Sequence, residues 1–406
     1  MRHHGAALLA AALAACTLSQ PAAPPPTVAR APAAMPEWTM FRGDLARDGH
    51  PPAATLGPAA ASRLHVSWRV APGGALSSQP VVTAGIVVVA AESGALRAFN
   101  NVTGALLWTA EGLGPLSGQP LIYQGEVFVG SGDGHLYAFD LLKGERSWDW
   151  RAPGGHPAIW SGPALYRGLL LVGAGPAAGE VDGGSLAALD PASGDRFWVT
   201  CLRAGCGPGD SVRSSIAVDG SGYGYVGRGA PEGGLAAFDV GIGRVVWTAP
   251  MAPVDATPLL FSLSGRSLVA VRTQVGGLAA LDPASGAVVW ARNLPGPASG
   301  SPAFDGQSLY LPLAGLVALN PSGGTLRWRS ESSRSVLSSP AVGNGVVVYG
   351  EGSRGQAGGA IVALATDDGH QLWRYETGAP VVASPVIVGD TVYAADLSGR
   401  LFAFRP

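Results

Sequence analysis

Lysine is almost absent from this chain: Lys143 is the only one, and arginine supplies every other basic side chain. That bias reflects composition and carries no functional weight. Charge is scarce altogether, at 13% of residues with a net charge of −2. No basic stripe can neutralise a phosphate backbone, so nucleic acid is excluded as a partner. Cysteine is rare too, with three in 406 residues. No two cysteines are adjacent, and no Cys-x-x-Cys-His haem attachment site occurs. What the chain has in excess is Gly (60) and Pro (33), a level that borders on low-complexity disorder. An apolar content of 47% argues the other way, because it can bury a sizeable core.

The N-terminus reads as an address. Arg2, His3 and His4 precede an apolar run, Gly5 to Ala15, that is too short to cross a bilayer permanently. It ends in Leu13-Ala14-Ala15-Cys16, which resembles the bacterial lipobox. The resemblance implies a signal peptide over residues 1–15, lipidation of Cys16, and a position outside the cytoplasm on the cell envelope. In a diderm source that is the periplasmic side of the outer membrane. Residues 16–36 are rich in Pro and Ala without apolar periodicity, and form a semi-extended tether.

Internal repetition dominates the rest. Trp68, Trp108, Trp148, Trp198, Trp247, Trp290, Trp328 and Trp373 follow one another at spacings of 40, 40, 50, 49, 43, 38 and 45. Seven of them are preceded by one phrase, seen in AALDPASGDRFW (187–198) and YAFDLLKGERSW (137–148). Upstream lies a second phrase, Ser-x-Pro followed by an apolar stretch, a Gly turn and a Val-rich run, as in LSSPAVGNGVVVYG (337–350). Each unit thus holds short runs of β-formers between turn residues, a four-stranded antiparallel meander. Such meanders must stack radially to bury both faces. The second phrase starts eight times, at Gln79-Pro80, Gln119-Pro120, Gly162-Pro163, Ser215-Ile216, Thr257-Pro258, Ser301-Pro302, Ser339-Pro340 and Ser384-Pro385. The predicted fold is an all-β, eight-bladed β-propeller over residues 62–406. The eighth unit lacks an outer strand, while Arg63 to Val70 is a Trp-bearing strand with no unit before it, so that strand should complete blade 8 and close the ring.

The phrase A-x-D-x-x-[ST]-G-x-x-x-W is similar to the PQQ-like repeat shared by quinoprotein dehydrogenases and BamB-type outer-membrane assembly lipoproteins. The resemblance spans residues 62–406, and implies that the repeated tryptophans dock neighbouring blades. Residues 37–61 look like the lead-in segment of bacterial members, so Arg42-Gly43-Asp44 is structural and not an adhesion tripeptide. Quinoprotein dehydrogenases are longer, hold their cofactor beside a disulfide between adjacent cysteines and coordinate Ca²⁺. The missing Cys-Cys pair therefore weighs against catalysis.

Other candidate chemistry is thin. Gly130-Ser131-Gly132-Asp133-Gly134 opens no helix and reads as a turn. Glu180 and Asp182 supply too few oxygens for calcium, and His156 has no metal-ligating neighbour in sequence. With Cys16 lipidated, Cys201 and Cys206 remain to form a disulfide in an oxidising compartment. The expectation is a monomeric, non-catalytic scaffold without cofactor or metal that binds a protein partner, with a β-barrel assembly component as one possibility. A ligand- or carbohydrate-binding propeller and a PQQ-dependent dehydrogenase are the alternatives. Three residues before each conserved Pro position, small or apolar residues give way in units three to five to Trp160, Arg213 and Asp255. These should converge on one arc of the channel rim as a binding site.

Overall fold

The computed structural model describes residues 37–51, 54–83, 85–177, 180, 183–202, 211–294 and 300–406. The signal segment, the tether, Cys16, Asp182 and Cys206 lie outside the described residues.

Eight antiparallel sheets follow one another along the chain as the blades of a propeller. Blade 7 is typical: Ala341–Gly343 is innermost, followed outward by Val346–Glu351, Ala360–Ala365 and Gln371–Glu376. The two middle strands are buried at every residue, because each blade is covered on both faces by its neighbours. Outer strands keep one buried side chain in several solvated ones; in Val288–Asn293 it is Trp290. The core therefore lies between blades. One cluster joins Ala318 and Trp328 of blade 6 to Val347, Tyr349 and Val362 of blade 7.

Blade 8 takes its outer strand from the start of the ring. His65–Val70 pairs antiparallel with Leu401–Arg405, placing Trp68 opposite Ala403 and Val70 opposite Leu401. Blade 3 departs from the expected four strands. Its inner edge is split into Pro157–Ala158 and Ala164–Tyr166, and both pair with the long strand Leu169–Pro176.

The repeated phrase has a local explanation. In blade 2, Asp140 Oδ1 accepts from the Leu142 and Lys143 amides at 2.9 and 2.8 Å, closing the turn. Gly144 follows at φ +71°, where a Cβ would stand 2.5 Å from the Trp108 ring of blade 1. Trp108 Nε1 donates to Leu141 O at 2.7 Å. From Trp68 to Trp328 each tryptophan thus lies on the next blade's turn glycine and bonds the carbonyl after the Asp or Asn that opens the turn, Ala365 standing in that place for Trp328. Trp148, Trp198, Trp247, Trp290 and Trp328 repeat the bond to Pro191, Val240, Pro283, Pro321 and Thr366. Trp373 faces blade 8, whose two outer strands are not joined by a turn, and packs edge-on against Phe404 at 4.9 Å.

The segment from Trp38 to Gly49 runs around the ring as a strap. Inner-strand amides of six blades donate to it: Val82 to Trp38 O, Ile122 to Thr39 O, Val218 to Leu45 O, Leu260 to Ala46 O, Phe304 to Asp48 O and Val342 to Gly49 O, all at 2.7–2.9 Å. Two fully buried arginines act as spokes. Arg42 donates to Pro302 O at 2.6 Å and to Pro340 O, while Arg47 donates to Ile216 O at 2.9 Å and Pro163 O at 3.1 Å. Gly49 is required here, since a Cβ would fall 2.4 Å from the Arg42 guanidinium at φ +68°. The Arg42-Gly43-Asp44 tripeptide is therefore internal.

Candidate functional site: the mouth of the axial channel

The residue before each conserved Pro position faces the axis. From blade 3 onward its backbone amide donates to the hydroxyl of the next blade: Gly162 to Ser215, Ser215 to Thr257, Thr257 to Ser301, Ser301 to Ser339 and Ser339 to Ser384, at 2.8–3.0 Å. Blades 1 and 2 carry Gln79 and Gln119 instead, and Gln79 bonds the strap at Met40 O. This hydroxyl ring went unnoticed in the sequence, although the Ser or Thr before Pro was the signal for it. With Phe41 beneath, it encloses an axial cavity of about 170 Å³ that Arg213 and Asp255 also line.

Above it opens a second cavity of about 280 Å³, lined by Glu180, Ser211, Arg213, Asp255 and Gln274 among others. Trp160 stands in the gap between the two inner strands of blade 3, half-buried, with Nε1 donating to Pro176 O at 3.3 Å. Its ring lies on Gly132 of blade 2, where a Cβ would come within 2.7 Å. The glycine-rich turn at 130–134 is thus a seat for an aromatic ring. The exposed Arg213 guanidinium stands 5.9 Å from the centre of that ring, a cation–π pair. Asp255 receives Gln274 Nε2 on Oδ2 at 2.5 Å, while its Oδ1 is buried without a hydrogen-bond partner. Gly229 of blade 4 comes close to Asp255, and a Cβ there would stand 2.0 Å from Ser211 Oγ.

Trp160, Arg213 and Asp255 are therefore brought together on one arc. Among the described residues no ion pair joins Arg213 to Asp255, so neither charge is spent on the other. His156 and Glu180 meet at the same rim, 3.3 Å apart. Cys201 is disulfide-bonded, and Cys206 lies outside the described residues.

The family profile of outer membrane protein assembly factor BamB matches residues 65–222, 231–315 and 312–406, nearly the whole ring. The chain belongs to that family. No curated protein matches it by sequence. Among solved structures, quinohaemoprotein alcohol dehydrogenase from Comamonas testosteroni is similar at 17% identity, covering 91% of this chain and 80% of that one with a TM-score of 0.78. The corresponding enzyme ADHIIG from Pseudomonas putida HK5 gives 15% identity, the same coverage and a TM-score of 0.80. BamB from Moraxella catarrhalis gives 17% identity, covering 84% of this chain and 98% of that one, with a TM-score of 0.66.

At these identities the likeness establishes the propeller fold that BamB and the dehydrogenases share. It also corrects the expectation of a non-catalytic scaffold. The alcohol dehydrogenases superimpose over more of the chain, and more closely, than BamB does. The fold is thus shared with enzymes, and the absence of adjacent cysteines does not exclude catalysis.

Proposed function

We propose that this chain is a quinone-dependent oxidoreductase acting on alcohols, with cofactor and substrate taken at the open mouth of the ring. The observation that carries the reading is the Trp160–Arg213–Asp255 arc. It offers a flat aromatic face, a guanidinium over that face, and a buried carboxylate oxygen with no partner.

These residues fit pyrroloquinoline quinone, which is planar, polycyclic and anionic. Arg213, the cation lining the mouth, suits its carboxylate edge through a charge-assisted contact, and the Trp160 ring would meet its plane once Arg213 turns from that ring to the carboxylate. A buried acceptor left unsatisfied costs about 1–3 kcal/mol, which a donor brought to Asp255 Oδ1 would recover. Adjacent cysteines are missing, and the raised hairpin of blade 3, Pro157–Ala158 against Gly175 and Pro176, walls the mouth instead. When bound, the quinone accepts the two electrons and the hydrogen that an alcohol carbon loses. Asp255, held at Oδ2 by Gln274, is the carboxylate at the mouth that would serve as base for the substrate hydroxyl. Phe41 and the hydroxyl ring line the axis below.

The same reading includes export and lipid attachment at Cys16. Leu13-Ala14-Ala15-Cys16 supports it, as does the disulfide at Cys201, which suits an oxidising exterior.

The test is dye reduction by the protein loaded with pyrroloquinoline quinone, on adding a primary alcohol. Wild type should turn over, and Asp255→Asn should retain quinone while losing about 10²–10⁴-fold in rate. A loaded wild type that reduces no dye with any simple alcohol overturns the reading.

A further inference from the structure

A further cavity lies on the opposite face of the disc. Strands alternate in direction, so the turns at 219–221 and 262–267, which link inner strands to their neighbours, lie on the face away from the mouth. There a cavity of about 580 Å³ opens against the strap, within the ~300–1,000 Å³ range of small-molecule sites. Leu260, Phe261, Leu268 and Phe304 give it an apolar lining, with the two phenyl rings 5.2 Å apart. Its charged lining residues are Asp48 and Asp219, and no lysine, arginine or histidine is among the lining residues.

The two carboxylates differ. Asp219 is saturated: Oδ1 accepts from the Ser221 and Tyr223 amides at 2.9 and 3.0 Å, and Oδ2 from the Tyr225 hydroxyl at 2.8 Å. Asp48 accepts from the His50 amide on Oδ1 at 2.8 Å. The nearest cation, Arg42, directs its guanidinium to the backbone carbonyls of Pro302, Pro340 and Asp48, away from the Asp48 carboxylate. Negative charge thus stands at the edge of an apolar pocket whose lining holds no basic side chain, with Arg42 acting on it only from behind the strap backbone.

We propose that this cavity binds an organic ammonium ion whose apolar body lies on Phe261 and Phe304 and whose charged nitrogen meets the Asp48 carboxylate. A small cation alone would leave the phenyl lining unused, and an organic anion would meet two carboxylates with no lining cation such as Arg213 provides at the mouth. The groups that face Asp48 also set a pH dependence. Burial first, and then the Asp44 carboxylate, push Asp48 up to about 7, against smaller opposing effects of the His50 amide and Arg42. An ammonium ion needs the ionised form, so its affinity should rise as pH climbs toward 7 and level off above it.

The test is calorimetry on the full chain with 2-phenylethylammonium, neutral phenylacetamide and phenylacetate. The ammonium ion should bind alone or by far the best, gaining about tenfold in affinity between pH 5.5 and 6.5. Asp48→Asn should abolish the pH dependence. Because that variant also touches the strap, Ser262→Trp serves as a second: it fills the cavity from an exposed strand position and leaves the strap sequence unaltered. It should block 2-phenylethylammonium while leaving quinone uptake at the mouth unchanged. Equal binding of phenylacetamide and the ammonium ion, no binding at all by wild type at pH 8, or unaltered binding to Ser262→Trp would each overturn the proposal.

Discussion

Trp68 Nε1 donates to Asn101 O at 3.1 Å, so a strand from the start of the ring docks blade 8 onto blade 1. The same tryptophan is buried against Tyr393, with ring centroids 6.0 Å apart. Trp68→Ala should cost about 3–5 kcal/mol in urea unfolding, and Trp68→Phe markedly less, since it keeps most of the packing and loses the hydrogen bond. Removing residues 1–70 should destabilise the whole disc, whereas removing residues 1–36 should leave the melting temperature unchanged. Equal stability of both truncations would refute closure by this strand.

Gly144 and Gly125 separate two reasons for a glycine. Both sit at positive φ, +71° and +83°, but a Cβ on Gly144 meets the Trp108 ring at 2.5 Å while one on Gly125 meets nothing within 4 Å. Gly125→Ala should cost only the backbone term, about 1–2 kcal/mol. Gly144→Ala should add the overpacking of a docked indole, a further ~1–3 kcal/mol. Denaturant midpoints of the two variants measure the difference.

Stability should carry a signature from the strap. Asp48 sits near 7 in the folded chain, raised by burial and by Asp44, against about 3.9 when unfolded. Between those values the native state keeps a proton that the unfolded chain has lost, so this group's contribution is largest at low pH and falls as pH rises from about 4 to 7. Carboxylates held low by partners, such as Glu376 beside Arg374 and Arg334, slope the other way. The clean readout is therefore wild type minus Asp48→Asn across pH 4–8. That difference should shift in favour of the Asn variant as pH rises; a flat difference would contradict it.

The blade count, the ring closure and the tryptophan docking were legible because each is a local pattern repeated many times. Asp140, Gly144 and Trp148 state their roles in a dozen residues, and six sister copies repeat the phrase. The arc of Trp160, Arg213 and Asp255 was legible for the complementary reason, as a departure from small residues at aligned positions. What stayed hidden depends on contacts between distant segments. Nothing local tells that the Arg42 and Arg47 side chains span to carbonyls of blades 3, 4, 6 and 7, or that the Gln274 amide meets Asp255. The split inner edge of blade 3 was missed because Pro157–Ala158 is too short to show strand periodicity. Its partner exists only where Leu169–Pro176 outgrows its siblings.

The mouth is where a planar anion would be held. The most direct measurement of this is titration of the purified chain with pyrroloquinoline quinone, read by calorimetry and by quenching of indole fluorescence. Wild type should take up one equivalent. Trp160→Ala and Arg213→Ala should each weaken binding about tenfold or more, the equivalent of ~1.4 kcal/mol, the exposed Arg213→Ala without lowering the unfolding midpoint. Saturable binding that neither substitution disturbs, or no binding by a folded wild type, would contradict it.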